Sequence, residues 1–518
     1  MDWFPLCNYT HYSLQKGFSK PKQLAKKCSE NYYTACGIAD YKSISGSVSF
    51  YQACIANNIK PIIGCSFDGF SLFAKNKDGW FDLIELISSL DSKESIAPSN
   101  LLTIANRGNM ICIASDESVS PIKGEDFYEK SEAFMDIYYT EKEHAELHRV
   151  ILCSSMKTTL PKISKEIKRG DGVDNQHFFE SNDFYLKNKT EIGEIIINDN
   201  KLDQFKEIYD KCENYDILSQ PILPRFDTPN NQTQKEYLRS LARDGWTKLL
   251  AHKVKDPELK KVYGDRFRQE YEVIEQANLF GYFLIVWDIL NHCRSQGWMV
   301  GPGRGSAAGC LISYLIGITE IDPIEYDLLF ERFYNAGRNT EDHISLPDID
   351  MDVPGGKRDE IIQYLKDKYG NNNVSQMLTF GRLQGRSALK EVLRVNSACG
   401  FSEMNEITKY IPDEAAISDQ LAEMDEEDRS IIRWALINHP DDLRDYCYVG
   451  DDGRLNGDFA QYFQQAIDIE GTFKTQGKHA AGVVISADDL NKVCPMVNPK
   501  SGTEKIAGLE MADLEALG

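Results

Sequence analysis

The run GPGRGSAAG, Gly301 to Gly309, restricts this chain more than any other stretch. Glycines at 301, 303 and 305 let the backbone turn tightly and approach another group closely. An apolar helix is predicted from about Ala307 to Ile316. The free N–H groups of its first turn would face the glycines, an arrangement that favours anions. Arg304 adds a planar charged fork suited to phosphate oxygens, and Ser306 adds a hydroxyl. The run is neither Walker A, which needs Gly-Lys-Ser/Thr, nor GxGxxG. It reads as a phosphate cradle; the alternative is a glycine turn with a helix cap.

A second motif is PDIDMDV, Pro347 to Val353. Residues two apart in a strand share a face, so Asp348, Asp350 and Asp352 line up on one side. The flanking Leu346, Ile349, Met351 and Val353 favour a strand with one buried face. Clustered carboxylates repel one another unless a cation neutralises them. Magnesium takes carboxylate and phosphate oxygens, and two such ions bracket an in-line phosphoryl displacement. The alternative for an isolated D-x-D is a solvated acidic edge. A phosphate cradle followed by a D-x-D strand is the logic of a nucleotidyltransferase.

The 518 residues predict three or four domains. The 42% hydrophobic and 27% charged content suits a soluble globular protein. No apolar stretch approaches the roughly 20 residues of a membrane helix, and the start lacks a signal-peptide pattern. A cytoplasmic location is the expectation. The thirteen cysteines form no CxxC pair, which points to reduced thiols and away from zinc. The net charge of −22 argues by itself against DNA binding, unless charge is segregated by domain.

Residues 1 to about 215 alternate short strands (Tyr33–Ala39, Lys60–Gly64) with helices (Pro21–Ser29, Val48–Asn57). Stretches 118–131 and 165–184 read as loops, and Pro221–Gln232 as a linker. Helical periodicity follows over Lys235–Leu250, Leu259–Ala277, Phe280–Cys293 and Lys357–Tyr369. Residues 379–440 look mostly helical, and Gly482–Ser486 is strand-like.

In order and spacing, GYFLIVWDIL (Gly281–Leu290), GPGRGSAAG, GITEIDPIEYDLLFERF (Gly317–Phe333) and LPDIDMDV resemble the bacterial C-family replicative DNA polymerases, the polymerase III alpha family. KYGNNNVSQMLTFG (Lys368–Gly381) and HAAGVVIS (His479–Ser486) extend the likeness. The resemblance implies an α/β multidomain chain: a PHP-like β/α barrel over 1–217, a polymerase-beta-like palm over 218–378, a helical thumb over 379–457 and a palm return over 458–518. It implies Asp348 and Asp350 as catalytic, metal-binding carboxylates for two magnesium ions, with Asp352 in support. It places Arg304, Gly305 and Ser306 against the phosphates of an incoming dNTP. Arg338 falls near a family arginine, in the altered surroundings NAGRNTEDHIS. Arg382, Arg386 and Lys390 either track DNA phosphates or form a solvated helix face, and His479 is either near the site or structural.

Two departures stand out. Where the family's active PHP domains carry an HxH pair, this chain has Cys7 and Tyr9; an Asp-His becomes Asp40-Tyr41, and a Glu becomes Ser66. His11 lies nearby but off the ligand register. No metal is therefore expected in this domain, and a phosphoesterase reading of it loses its ligands. The other departure is at Glu510–Gly518, EMADLEALG, which the family follows with a third catalytic Asp and then the fingers. The expected partners are primer-template DNA, dNTPs, a C-terminal polymerase polypeptide carrying that Asp and the fingers, and other replisome proteins, with no membrane. The leading expectation is a DNA-directed DNA polymerase needing that complement, and the alternative is a noncatalytic replication-assembly module.

Overall fold

Near-continuous apolar runs make the strands of the N-terminal region, as expected for strands covered on both faces. In the computed structural model, which describes residues 3–196, 202–220, 222–334, 347–425, 428–500 and 502–518, Ala35–Tyr41 pairs in parallel with Lys60–Phe67. A turn at Asp68-Gly69 then reverses the chain into Phe70–Ala74, antiparallel to its predecessor. Met110–Ala114 and Phe127–Glu129 complete a five-stranded sheet. Helices Pro21–Glu30 and Ser47–Ala56 fall where the periodicity puts them. The regular β/α barrel is built of parallel strands, and this antiparallel hairpin departs from that pattern. Among the described residues the strands close into no barrel. Both stretches read as loops carry short elements, the strand Phe127–Glu129 and the helices Leu160–Arg169 and Gln176–Glu180.

The chain separates into two units. One comprises Met1–Ile217, Leu378–His479 and Pro495–Asp513; the other comprises Leu218–Met377, Ala480–Cys494 and Leu514–Gly518. The first unit holds two sets of helices. Gly385–Asn396, Ile431–Asn438 and Ala460–Ile469 share a core with His144–Ser155, through Leu389, Val392, Leu436, Phe463, Val150 and Ile151. Gly385–Asn396 and Ile431–Asn438, expected in a thumb, and Ala460–Ile469, expected in the palm return, therefore bury their apolar faces against a helix of the N-terminal segment. A four-stranded sheet runs in the order Phe473–Ile485, Val374–Arg382, Ile506–Ala507, Met496–Val497.

Asp40 ties the N-terminal turn of the first unit together. It is 1% exposed, and its carboxylate accepts from the Thr10 N–H and Oγ1 (both 2.7 Å) and from Ser13 Oγ (2.6 Å). Burial pushes its pKa up to about 6, against the pull of those donors.

The second unit is mainly helical. Thr233 starts Gln234–Gly245 with a reciprocal cap, exchanging hydrogen bonds with Glu236. Pro257–Gln276 and Phe280–Ser295 follow, packed around Ile274, Phe283, Leu284, Ile312, Phe330 and Leu365. Glu270, 0% exposed, stands in this core beside Arg266, whose Nε lies 2.6 Å from Glu270 Oε1. The carboxylate also accepts the N–H groups of Leu311 and Ile312, both at 2.9 Å. Arg266 Nη2 donates to the carbonyls of Gly309 (2.7 Å) and Leu328 (3.0 Å). One buried pair thus holds both ends of the glycine run's exit.

Two predictions follow from these buried acids. Glu270→Ala leaves Arg266 and two N–H groups without their partner, and should cost about 3–5 kcal/mol in urea unfolding followed by tryptophan fluorescence; a loss below about 1 kcal/mol would refute the role given to the pair. Because the folded pKa of Asp40 lies above the ordinary 3.8, its proton is held more tightly in the folded state. Its stabilising share is therefore full below about pH 4 and lost as pH rises through about 6. Relative to Asp40→Asn, the wild-type chain should lose roughly 3 kcal/mol across that window; parallel pH profiles would contradict it.

Candidate active site

The glycine run forms an irregular turn over 301–304, a short 3-10 helix Gly305–Gly309, and, after a break at Cys310, the helix Leu311–Leu315. This corrects the single helix expected from about Ala307. It also corrects the source of anion-binding groups. The first-turn N–H groups of Leu311 and Ile312 are occupied by Glu270, and that of Ser313 meets Cys310 Sγ at 3.4 Å. They face no open anion site. The chemistry open to a phosphate at this place lies in the turn itself and in Arg304.

That turn touches the acidic segment directly. Gly301 N–H donates to the Asp352 carbonyl at 2.9 Å, and a Cβ at 301 would stand only 2.7 Å from Asp352 Cβ. Gly305 has φ +68°, a left-handed backbone that a side chain strains, and a Cβ there would meet Asp350 Oδ2 at 3.4 Å. Arg304 Nη2 lies 2.8 Å from Asp350 Oδ1, and its Nε 3.4 Å from Asp352 Oδ1. The sequence put Arg304 on phosphate; in this structure its fork engages the carboxylates. Ser306 is half-buried beside them in the chain.

Pro347–Val353 lies outside the strands of the described residues, although it was read as one. Its two faces nevertheless alternate as predicted. Pro347 and Ile349 are buried while Asp348 and Asp352 are exposed and Asp350 is half-exposed. Ile349, Met351 and Val353 pack onto the helical core. In place of a ladder the segment is held by the Gly301 bond and by Tyr282, whose OH donates to the Pro347 carbonyl at 2.7 Å. Burial pushes the Tyr282 phenol well up, with the charge of Asp348 adding to it. Asp348 has no hydrogen-bond or ion-pair partner among the described residues. No group of three or more His, Cys, Asp or Glu side chains among the described residues is placed to hold a metal. Two hard carboxylates on one face, one of them unpaired, still suit magnesium that draws its remaining ligands from water and substrate phosphate.

The sequence missed Glu270 and Tyr282. A signal for Glu270 was available: Tyr263, Arg266, Phe267, Glu270 and Ile274 recur on one helix face, so a charged pair sits in an apolar stripe. Arg338 lies outside the described residues. Arg386 donates to the Ile411 carbonyl (3.2 and 2.8 Å), and Lys390 to Asn405 Oδ1 (2.9 Å). Arg382 pairs with Glu510 at 3.3 Å. All three serve internal acceptors and form no row of free cations. His479 is a half-buried residue of the strand Phe473–Ile485.

At the N-terminal positions the replacements form a network of their own. Burial pushes the Cys7 thiol up to about 12. Tyr9 stacks on Tyr138 at 4.6 Å, and its OH accepts from Ser66 Oγ at 3.1 Å. Tyr41 OH donates to Asp68 at 2.5 Å. His11 stacks on Phe473 at 4.0 Å.

Residues 6–215 match the PHP domain, and residues 236–518 match the bacterial DNA polymerase III alpha NTPase domain. DNA polymerase III subunit alpha of Staphylococcus aureus (strain NCTC 8325 / PS 47) is 31% identical over 529 residues, covering 98% of this chain and 46% of the relative. The protein of the same name from Staphylococcus epidermidis (strain ATCC 12228 / FDA PCI 1200) is 30% identical over 531 residues, with the same coverage. The chain spans about half the length of the curated relatives it matches. With a family match over more than half its residues, the chain belongs to the bacterial DNA polymerase III alpha family.

Proposed function

We propose that this chain carries the nucleotide- and metal-holding part of a replicative DNA polymerase. The observation that carries the reading is the direct contact between the glycine turn and the acidic segment, Gly301 to Asp352 and Arg304 to Asp350. Asp348 and Asp350 would hold two magnesium ions, which neutralise charge developing on the attacking and leaving oxygens during nucleotidyl transfer. Arg304, Gly305 and Ser306 would bind and orient the triphosphate of a dNTP: the glycine allows close approach, and the arginine and serine donate hydrogen bonds. Tyr282 would fix the acidic segment so that its carboxylates stay aimed at one face. The chain spans about half the length of its curated relatives, and the reading assigns the remaining metal ligand to a complementary polymerase polypeptide. Primer-template DNA and other replication proteins, in the cytoplasm, are the partners it implies.

The N-terminal region enters this proposal as a structural domain without a metal. What supports it is that both Asp40 oxygens are engaged by Thr10 and Ser13, while Cys7 is a buried thiol whose raised pKa disfavours the thiolate a metal needs.

Primer extension tests the catalytic reading. The chain alone, with magnesium and four dNTPs, should give no product, and the enzyme assembled with its C-terminal complement should extend. Asp348→Ala or Asp350→Ala in that assembly should reduce the rate at least about a hundredfold. Full activity in either variant would remove the residue from the site. Elemental analysis should detect no stoichiometric zinc, manganese or iron belonging to residues 1–217; a bound ion lost on Asp40→Asn would reverse that assignment.

A further inference from the structure

We propose that Arg304 is a placeholder cation for the acidic segment, competing with the divalent ion and released when that ion arrives. The inference rests on the reading of Asp348 and Asp350 as metal ligands and adds a role for the arginine before nucleotide binds. Its guanidinium reaches two carboxylates at once, Asp350 at 2.8 Å and Asp352 at 3.4 Å, from a turn that the Gly301–Asp352 bond ties to the same segment. Without a cation, carboxylates spaced two apart on one extended face repel, and the arginine relieves that repulsion.

The pairing is built to break. The side chain of Arg304 is 59% exposed, and those of Asp350 and Asp352 are 33% and 55% exposed. Ion pairs this open to water are weak. A divalent ion carries twice the charge on a compact centre and approaches oxygen to about 2.0–2.1 Å. It therefore wins Asp350, while Asp348, which has no partner among the described residues, offers the first foothold. The displaced fork, still on the turn, is then free for a triphosphate. Ion and arginine exchange places, so the nucleotide-binding charge is set free only after the metal is in.

Manganese(II) binding to the full chain without nucleotide, read by electron paramagnetic resonance, tests this. Arg304→Ala should bind manganese about two- to fivefold more tightly than wild type, the factor expected for losing one exposed competing pair. Arg304→Lys keeps a cation on the turn and should stay near wild type. The Arg304→Ala advantage should shrink as salt screens the pair. Asp350→Asn should weaken binding in both backgrounds. Equal or weaker binding by Arg304→Ala, with Asp350→Asn still weakening it, overturns the placeholder role and leaves the metal-site reading standing. Binding indifferent to Asp348→Asn and Asp350→Asn overturns both. A gain in Arg304→Ala that survives Asp350→Asn puts the ion elsewhere and also overturns the proposal.

Discussion

The buried pair of Arg266 and Glu270 is the constraint on which the site depends. The helix Leu311–Leu315 is one turn and a half long, too short to be stable by itself. Its leading N–H groups are buried in an apolar core, where an unpartnered donor costs on the order of 1–3 kcal/mol. Glu270 removes that cost for two of them, and Arg266 pays back its charge while gripping the carbonyls at 309 and 328. The glycine run can stay irregular because its exit is clamped. A turn with several glycines and no clamp would sample many conformations, and Arg304 would have no fixed relation to Asp350.

Much of this was legible in the sequence, and the failures share a cause. Binary patterning located the helices at 234–245, 257–276 and 280–295, and it sorted Asp348, Asp350 and Asp352 from Ile349, Met351 and Val353 onto opposite faces. Periodicity reports which side of an element meets the core, and that is local. It does not report what a polar group bonds to. The N–H groups assigned to a phosphate are spent on a carboxylate forty-one residues earlier in the chain. Arg386 and Lys390, readable as free cations, serve Ile411 and Asn405. The PDIDMDV segment has the alternation of a strand without a ladder, because Tyr282 and Gly301 satisfy part of its backbone.

The N-terminal region shows the same distinction from the other side. The resemblance sets Cys7, Tyr9, Tyr41 and Ser66 where active PHP domains carry metal ligands and keeps Asp40, and that was visible residue by residue. What the sequence could not show is which groups meet the buried Asp40 carboxylate. An isolated carboxylate in an apolar setting shifts toward its neutral form or finds donors. Asp40 does both: three donors converge on it, and its pKa still rises. Tyr9 and Tyr138 form a stacked pair. Asp40 thus forms part of the fold's framework.

Water access separates the acids of this chain into two kinds. Glu270 and Asp40 are closed off, and their oxygens are committed to donors on the same chain. Breaking those bonds would leave charges stranded in the interior, so neither acid is available to a ligand. Asp348 and Asp350 sit on the open face of a segment whose other face is anchored in the core. Their charge is solvated, incompletely paired among the described residues, and close to the glycine turn. A net charge of −22 looked unfavourable for binding a polyanion. At this one face, two open carboxylates from that excess offer the hard oxygen ligands a divalent cation takes.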